Sequence, residues 1–261
     1  MLSFFKQRRR RDIIAQPFPE HWREILRKRF PLFPLLPEEA RRELEGHIQI
    51  FLAEKQFEGC GGLEVTEEMK ISIAAQACLL LLGRETDMYP GLRSILIYPS
   101  TYFAKQTDYS ASGIVTESKS QRLGESWEQG AVVLAWDSVT GGAANISDGQ
   151  NVVLHEFAHQ LDQEDGRADG TPILRGNGLL DRRSRYSAWA QVFSSEYAQL
   201  QNKAKQQRKT VLDHYGATHP AEFFAVATEC FFEKPLQMKQ KHPELYEELK
   251  QFYQQDPAQW R

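Results

Sequence analysis

The run His155-Glu156-Phe157-Ala158-His159 sets two imidazoles four residues apart with a carboxylate directly after the first. On a helix, positions i and i+4 project from one face, so both rings can reach one metal ion at the roughly 2.0–2.1 Å that Zn–N bonds require. Glu156 then flanks the ion without ligating it. From there it can take a proton from a metal-bound water, whose pKa falls to about 7, and pass it to a departing amine. This HExxH pattern predicts metal-assisted hydrolysis at a single Zn2+ ion. The plainer alternative is a pair of surface histidines. Context favours the metal: Ser147-x-x-Gln150 reads as a capping box ahead of the pentad, and Val152, Val153, Phe157 and Leu161 give the helix an apolar face to bury.

Two histidines leave a tetrahedral site one protein ligand short, because catalytic zinc takes three protein groups and keeps the fourth position for water. An HExxHxxGxxH extension would need Gly at 162 and His at 165, where the chain has Asp162 and Asp165, so the third ligand lies elsewhere. Downstream, residues 215–229 read as a loop turning into a helix that Thr218 can cap, with Pro220 in its first turn. Glu222 falls in that first turn, beside Phe223 and Phe224. A carboxylate in so apolar a helix needs a partner, and a metal ion is an adequate one. Glu229, seven residues on, is placed to accept from a ligand histidine's other ring nitrogen. Glu196, Asp162, His214 and His219 compete with Glu222, and Glu196 is the strongest rival because it follows Trp189 on an apolar stripe. Chemistry favours Glu222 and leaves the choice open.

The segment His-Glu-Phe-Ala-His-Gln-Leu-Asp at 155–162, with Tyr215 seven residues before Glu222-Phe223-Phe224-Ala225, resembles the Mlc titration factor A family of bacterial zinc peptidases. The resemblance takes in Gly124-Glu125-Ser126-Trp127 and Val132-Val133-Leu134-Ala135-Trp136, and it spans about Phe18 to Pro235. It implies an α+β, zincin-like metalloprotease core similar to the anthrax lethal factor protease domain: a small mixed sheet, the HExxH helix, a Glu-bearing helix and an N-terminal helical region. It further implies His155, His159 and Glu222 as ligands of one zinc ion, Glu156 as general base and acid, and Tyr215 as a hydrogen-bond donor in the transition state. A phenol suits that role, since removing one such donor typically costs about 10²–10³ in turnover.

The elements that must position these residues follow from periodicity and punctuation. Helices are expected at Glu20–Phe30, Pro37–Glu54, Thr66–Leu82, about 185–209 and Pro243–Tyr253, besides the two metal helices. Strands are expected at Ile95–Tyr98 and Ala131–Trp136, with hairpin and loop across Ser100–Glu128. A strand beside the metal helix can serve as an edge for an extended substrate, although 131–136 is apolar at nearly every position, as a fully buried strand would be. Residues 1–16, with Arg8 to Arg11, read as a mobile basic tail. Residues 17–261 read as a single metallopeptidase domain, 17–90 mainly a helical lobe and 91–261 the catalytic core. The tail from Gln254 to Arg261 is a conceivable lid.

At 261 residues and 41% hydrophobic content, the chain can bury a sizeable core. A net charge of −3 implies no global pull toward nucleic acid. Cys60, Cys78 and Cys230 lack metal-ligand spacing and are odd in number, which fits a reducing cytoplasm. The basic run follows the apolar tip, the reverse of a signal peptide, and no apolar stretch reaches the roughly 20 residues of a membrane span. Two functions are expected: a peptidase acting on peptide substrates, aminopeptidase-like by resemblance, and a regulatory protein that binds the transcription repressor Mlc and so bears on glucose phosphotransferase regulation. A non-catalytic module that only sequesters the repressor is the alternative. An aminopeptidase would need an acidic anchor for the free amine, and Glu125, Glu128 and Glu164 are candidates.

Overall fold

The chain runs α1 (Leu2–Ile14), α2 (Glu20–Arg29), α3 (Glu38–Glu54), β1 (Gln56–Gly59), α4 (Glu67–Leu79), β2 (Ser94–Tyr98), β3 (Tyr102–Tyr109), β4 (Val115–Arg122), β5 (Gly124–Trp127), β6 (Ala131–Ala135), α5 (Trp136–Ala144), α6 (Val152–Asp162), α7 (Leu179–Lys205), α8 (Pro220–Glu233), α9 (Pro235–Lys241) and α10 (Pro243–Tyr253). The structure is a computed structural model that describes residues 2–100, 102–109, 115–122, 124–127, 130–176 and 178–260. It is an α+β arrangement. β1, β2 and β6 are parallel and β5 joins β6 antiparallel, giving a sheet in the order β1-β2-β6-β5. β3 and β4 form a separate antiparallel pair. No helix among the described residues is long and apolar enough to cross a membrane.

α4 is mostly apolar and is buried on all sides beyond its first turn. Thr66 caps it by accepting from the Met69 amide at 3.3 Å, and its residues from Ile71 to Leu79 are buried. α6 packs beside it, with Phe157 edge-on to Tyr89 at 4.9 Å between ring centroids and tilted on Phe51 at 5.8 Å. The Lys55 ammonium holds the Tyr89 segment by donating to the Tyr89 and Leu92 carbonyls at 2.7 and 2.8 Å. On the far side of α6, α8 buries Phe223, Phe224, Phe231 and Phe232. Their neighbours are Trp189 and Phe193 of α7 and Phe252 and Tyr253 of α10.

Three expectations are corrected. The segment expected as a free tail is helical over Leu2–Ile14, and this α1 packs on α3. Arg10 reaches both oxygens of Glu54 at 2.7 Å, and Asp87 accepts from Lys6 at 2.6 Å and from Arg10 at 3.0 Å. A planar guanidinium forked onto a carboxylate fixes direction as well as charge. Strand β6 is no edge: it ends at Ala135, and β2 and β5 flank it, as a run buried on both faces requires. The tail beyond Gln254 packs against the body and is no free lid. Asp256 accepts from the Tyr246 hydroxyl at 2.5 Å, the Gln255 amide donates to the Leu79 carbonyl at 2.9 Å, and Trp260 lies beside Phe232.

Phe157 couples α6 to the core, so Phe157→Ala is expected to destabilise the protein by about 3–5 kcal/mol. A lowered urea midpoint measures this; an unchanged midpoint would mean that the site collapses around the deletion.

Candidate metal centre

The start of α6 is set by Asn151. Its side-chain oxygen accepts from the Val153 and Leu154 amides, both at 3.1 Å, satisfying two of the donors that a helix start leaves open. The expected Ser147 box does not form, since the Ser147 hydroxyl donates to Asn145 at 2.8 Å. Likewise α8 is capped by His219, whose Nδ1 accepts from the Ala221 amide at 3.2 Å, and not by Thr218.

α6 and α8 pack against each other. His155 and His159 face Glu222 across that contact, and these are the three residues whose donor atoms converge, all within 4.8 Å of one another, among the described residues. His155 Nε2 lies 2.9 Å from Glu222 Oε2 and 3.2 Å from His159 Nε2, and His159 Nε2 lies 3.4 Å from Glu222 Oε2. Ligands about 2.0–2.1 Å from a tetrahedral zinc stand about 3.3 Å apart, so this donor set fits such an ion. The rivals are engaged elsewhere: Glu196 with His242 Nδ1 at 2.7 Å, Asp162 with the Gly170 amide at 2.9 Å, His214 with the Arg208 carbonyl at 2.8 Å and His219 in its cap.

The His155 ring is oriented from behind. Its Nδ1 meets Glu229 Oε1 at 2.7 Å, and because a carboxylate only accepts, Nδ1 carries the hydrogen and Nε2 is turned toward the cluster. Glu229 Oε2 also accepts the Asn151 amide at 2.5 Å. One turn on, Glu233 Oε2 accepts the Gly149 and Gln150 amides at 3.0 and 3.1 Å, and Oε1 accepts from Asn151 Nδ2 at 3.1 Å. Gln76 of α4 takes the second Nδ2 hydrogen at 2.9 Å. Asn151 and Glu233 were absent from the expected site. A buried Asn just ahead of a metal helix, and a third Glu on an apolar helix, were the available signs.

Electrostatics in the cluster are strongly perturbed. Burial opposes charge on both Glu222 and His155. The His155 and His159 hydrogen bonds nevertheless hold the Glu222 carboxyl well below its usual range, while Glu222 and Glu229 raise His155 well above its own. Burial pushes Glu156, 5% exposed, up to about 7, His155 pulling down and the Glu222 and Glu229 charges pushing up. Its Oε2 has no hydrogen-bond partner among the described residues. Burial and the Glu229 charge lift Glu233 to about 8 against the hydrogen bond from Asn151. Tyr215 stands beside the cluster, 55% exposed, its ring centroid 6.0 Å from that of His155. Among the suggested amine anchors, Glu128 and the side chain of Glu125 lie outside the described residues; Glu164 follows α6 directly, and burial raises its carboxyl.

The family described as glucose-regulated metallo-peptidase M90 matches residues 4–254. A protein of Synechocystis named "Uncharacterized protein slr2042" is 41% identical over 250 residues, 95% of this chain and 89% of that protein. Mlc titration factor A of Escherichia coli is 30% identical over 241 residues, 91% of this chain and 87% of its own. The protein of that name in Pectobacterium atrosepticum matches equally well.

If the cluster holds a divalent cation, Glu229→Ala is expected to weaken its affinity, measured with Zn2+, by about 10–100-fold, as loss of a ligand's hydrogen-bond partner does. Affinity should also rise with pH, because a cation must displace the proton that the two carboxylates hold on His155. Chelator competition reads both effects; equal affinity in the variant would show that Glu229 does not orient the ligand.

Proposed function

Since this chain belongs to the glucose-regulated metallo-peptidase family M90, a family whose name implies a metal ion, we propose that it is a zinc-dependent peptidase with a gluzincin-type, zincin-like core. His155, His159 and Glu222 would hold one ion. When bound, that ion supplies Lewis-acid polarisation of the scissile carbonyl and acidifies a water. The observation that carries the reading is Glu156. Its carboxyl adjoins the donor cluster, is buried, has one oxygen without a partner among the described residues and is tuned to about 7, where a group that takes and returns a proton works best near neutral pH. In this reading Glu156 accepts the proton of the attacking water and delivers it to the leaving amine. The Tyr215 phenol donates to the oxyanion that develops on the substrate carbonyl.

Two finer points rest on resemblance. Relatives bear the name Mlc titration factor A, and we extend to this chain a link to the repressor Mlc, alongside or in place of catalysis. Preference for free N-termini is the second, and cleavage of N-blocked peptides at equal rates would remove it. A cytoplasmic setting is consistent with both.

On a panel of aminoacyl and N-blocked chromogenic peptides, Glu156→Gln should lower turnover by about 10²–10⁴ with zinc content unchanged, and Tyr215→Phe by about 10²–10³. Glu156 must be ionised to accept the proton, and a nearby cation favours that form, so kcat/KM should fall as pH drops through a value at or below about 7. A zinc-loaded wild type that cleaves nothing on the panel would favour the binding role.

A further inference from the structure

Tyr215 lies on a short 3-10 turn, His214–Ala217, outside the two helices that carry the metal donors. Its placement must therefore be transmitted. Asp213 caps the turn: its Oδ1 accepts the Tyr215 amide at 2.8 Å, and its Oδ2 accepts from the Gln150 side-chain amide at 3.2 Å. The Gln150 backbone amide is in turn held by Glu233 at 3.1 Å, one residue before the Asn151 cap and five before His155. The far end of the turn is tied to α7, where Tyr197 and Gln201 donate to the Ala217 carbonyl at 3.2 and 3.4 Å. Those bonds fix the turn to α7. The Gln150–Asp213 bond fixes it to the lead-in of the metal helix.

We propose that Gln150 is a positioning residue for Tyr215, bridging the start of the metal helix to the capped turn and setting where the phenol stands relative to His155. This rests on the reading of Tyr215 as the oxyanion donor. Deleting one hydrogen bond to a carboxylate costs about tenfold, and misplacement of a reacting group is felt in turnover more than in binding. Gln150→Ala should thus lower kcat about tenfold with KM within about twofold and zinc content equal. Gln150→Glu, which cannot donate and repels Asp213, should lose at least as much.

The test is a double-mutant cycle. Gln150→Ala placed on Tyr215→Phe should cause no further loss, since the group it positions is gone. Equal loss in both backgrounds, or no loss in the single variant, would overturn the proposal. Hydrogen exchange decides it without catalysis: in metal-loaded protein, Gln150→Ala should speed exchange of the amides of residues 215–218 about tenfold, leaving those of α6 unchanged. Unaltered exchange there would overturn the positioning role whatever the peptide assays give. Absence of wild-type turnover with faster exchange would overturn the peptidase reading and leave the bridge standing.

Discussion

The carboxylate of Glu229 is where this structure concentrates its constraints. Buried between α8 and α6, it accepts the Asn151 amide with one oxygen and the His155 ring with the other. A buried carboxylate left without donors costs several kcal/mol, so the two helices can sit only where both bonds close. That single requirement fixes the start of α6, the ring orientation of the first donor and the distance to α8, which seven residues earlier carries Glu222. The convergence of His155, His159 and Glu222 follows from it.

Such a polar bracket holds only because the rest of α8 is apolar. Phe223, Phe224, Phe231 and Phe232 pack into an aromatic cluster with α7 and α10, while Phe157 anchors the opposite face of α6 on Phe51 and Tyr89. Burial of these rings supplies the favourable term that offsets desolvating Glu156, Glu229 and Glu233 together. The same burial gives the chemistry its character, because low-dielectric surroundings lift Glu156 to about 7 while opposed imidazoles hold Glu222 ionised. The carboxyls of these two glutamates are thus driven in opposite directions by their neighbours.

Much of this was legible in the chain. The pentad defined its own helix, since spacing of four and an apolar stripe at 153, 157 and 161 are local properties. The Thr66 cap of α4 and the strand at 95–98 were similarly readable from short-range pattern. The caps of the two metal helices were not. Ser147 and Asn151 are both acceptable ahead of α6, as are Thr218 and His219 ahead of α8; the outcome turned on Glu229 and Glu233 gripping residues 149–151 from 78 to 84 positions away. The basic run at 8–11 looked free until Glu54 and Asp87 were brought beside it.

By itself the sequence determined which residues can ligate, which can move a proton and which helical face each occupies, because those depend on side-chain chemistry and on periods of two to four residues. Only the tertiary structure decided which of five candidate carboxylates and imidazoles converges with His155 and His159, which residue caps each helix, and that the apolar strand β6 lies inside the sheet and not at its edge. Those outcomes depend on distances between segments far apart in the chain, set by how the apolar faces of α4, α6 and α8 pack, and no local pattern encodes them.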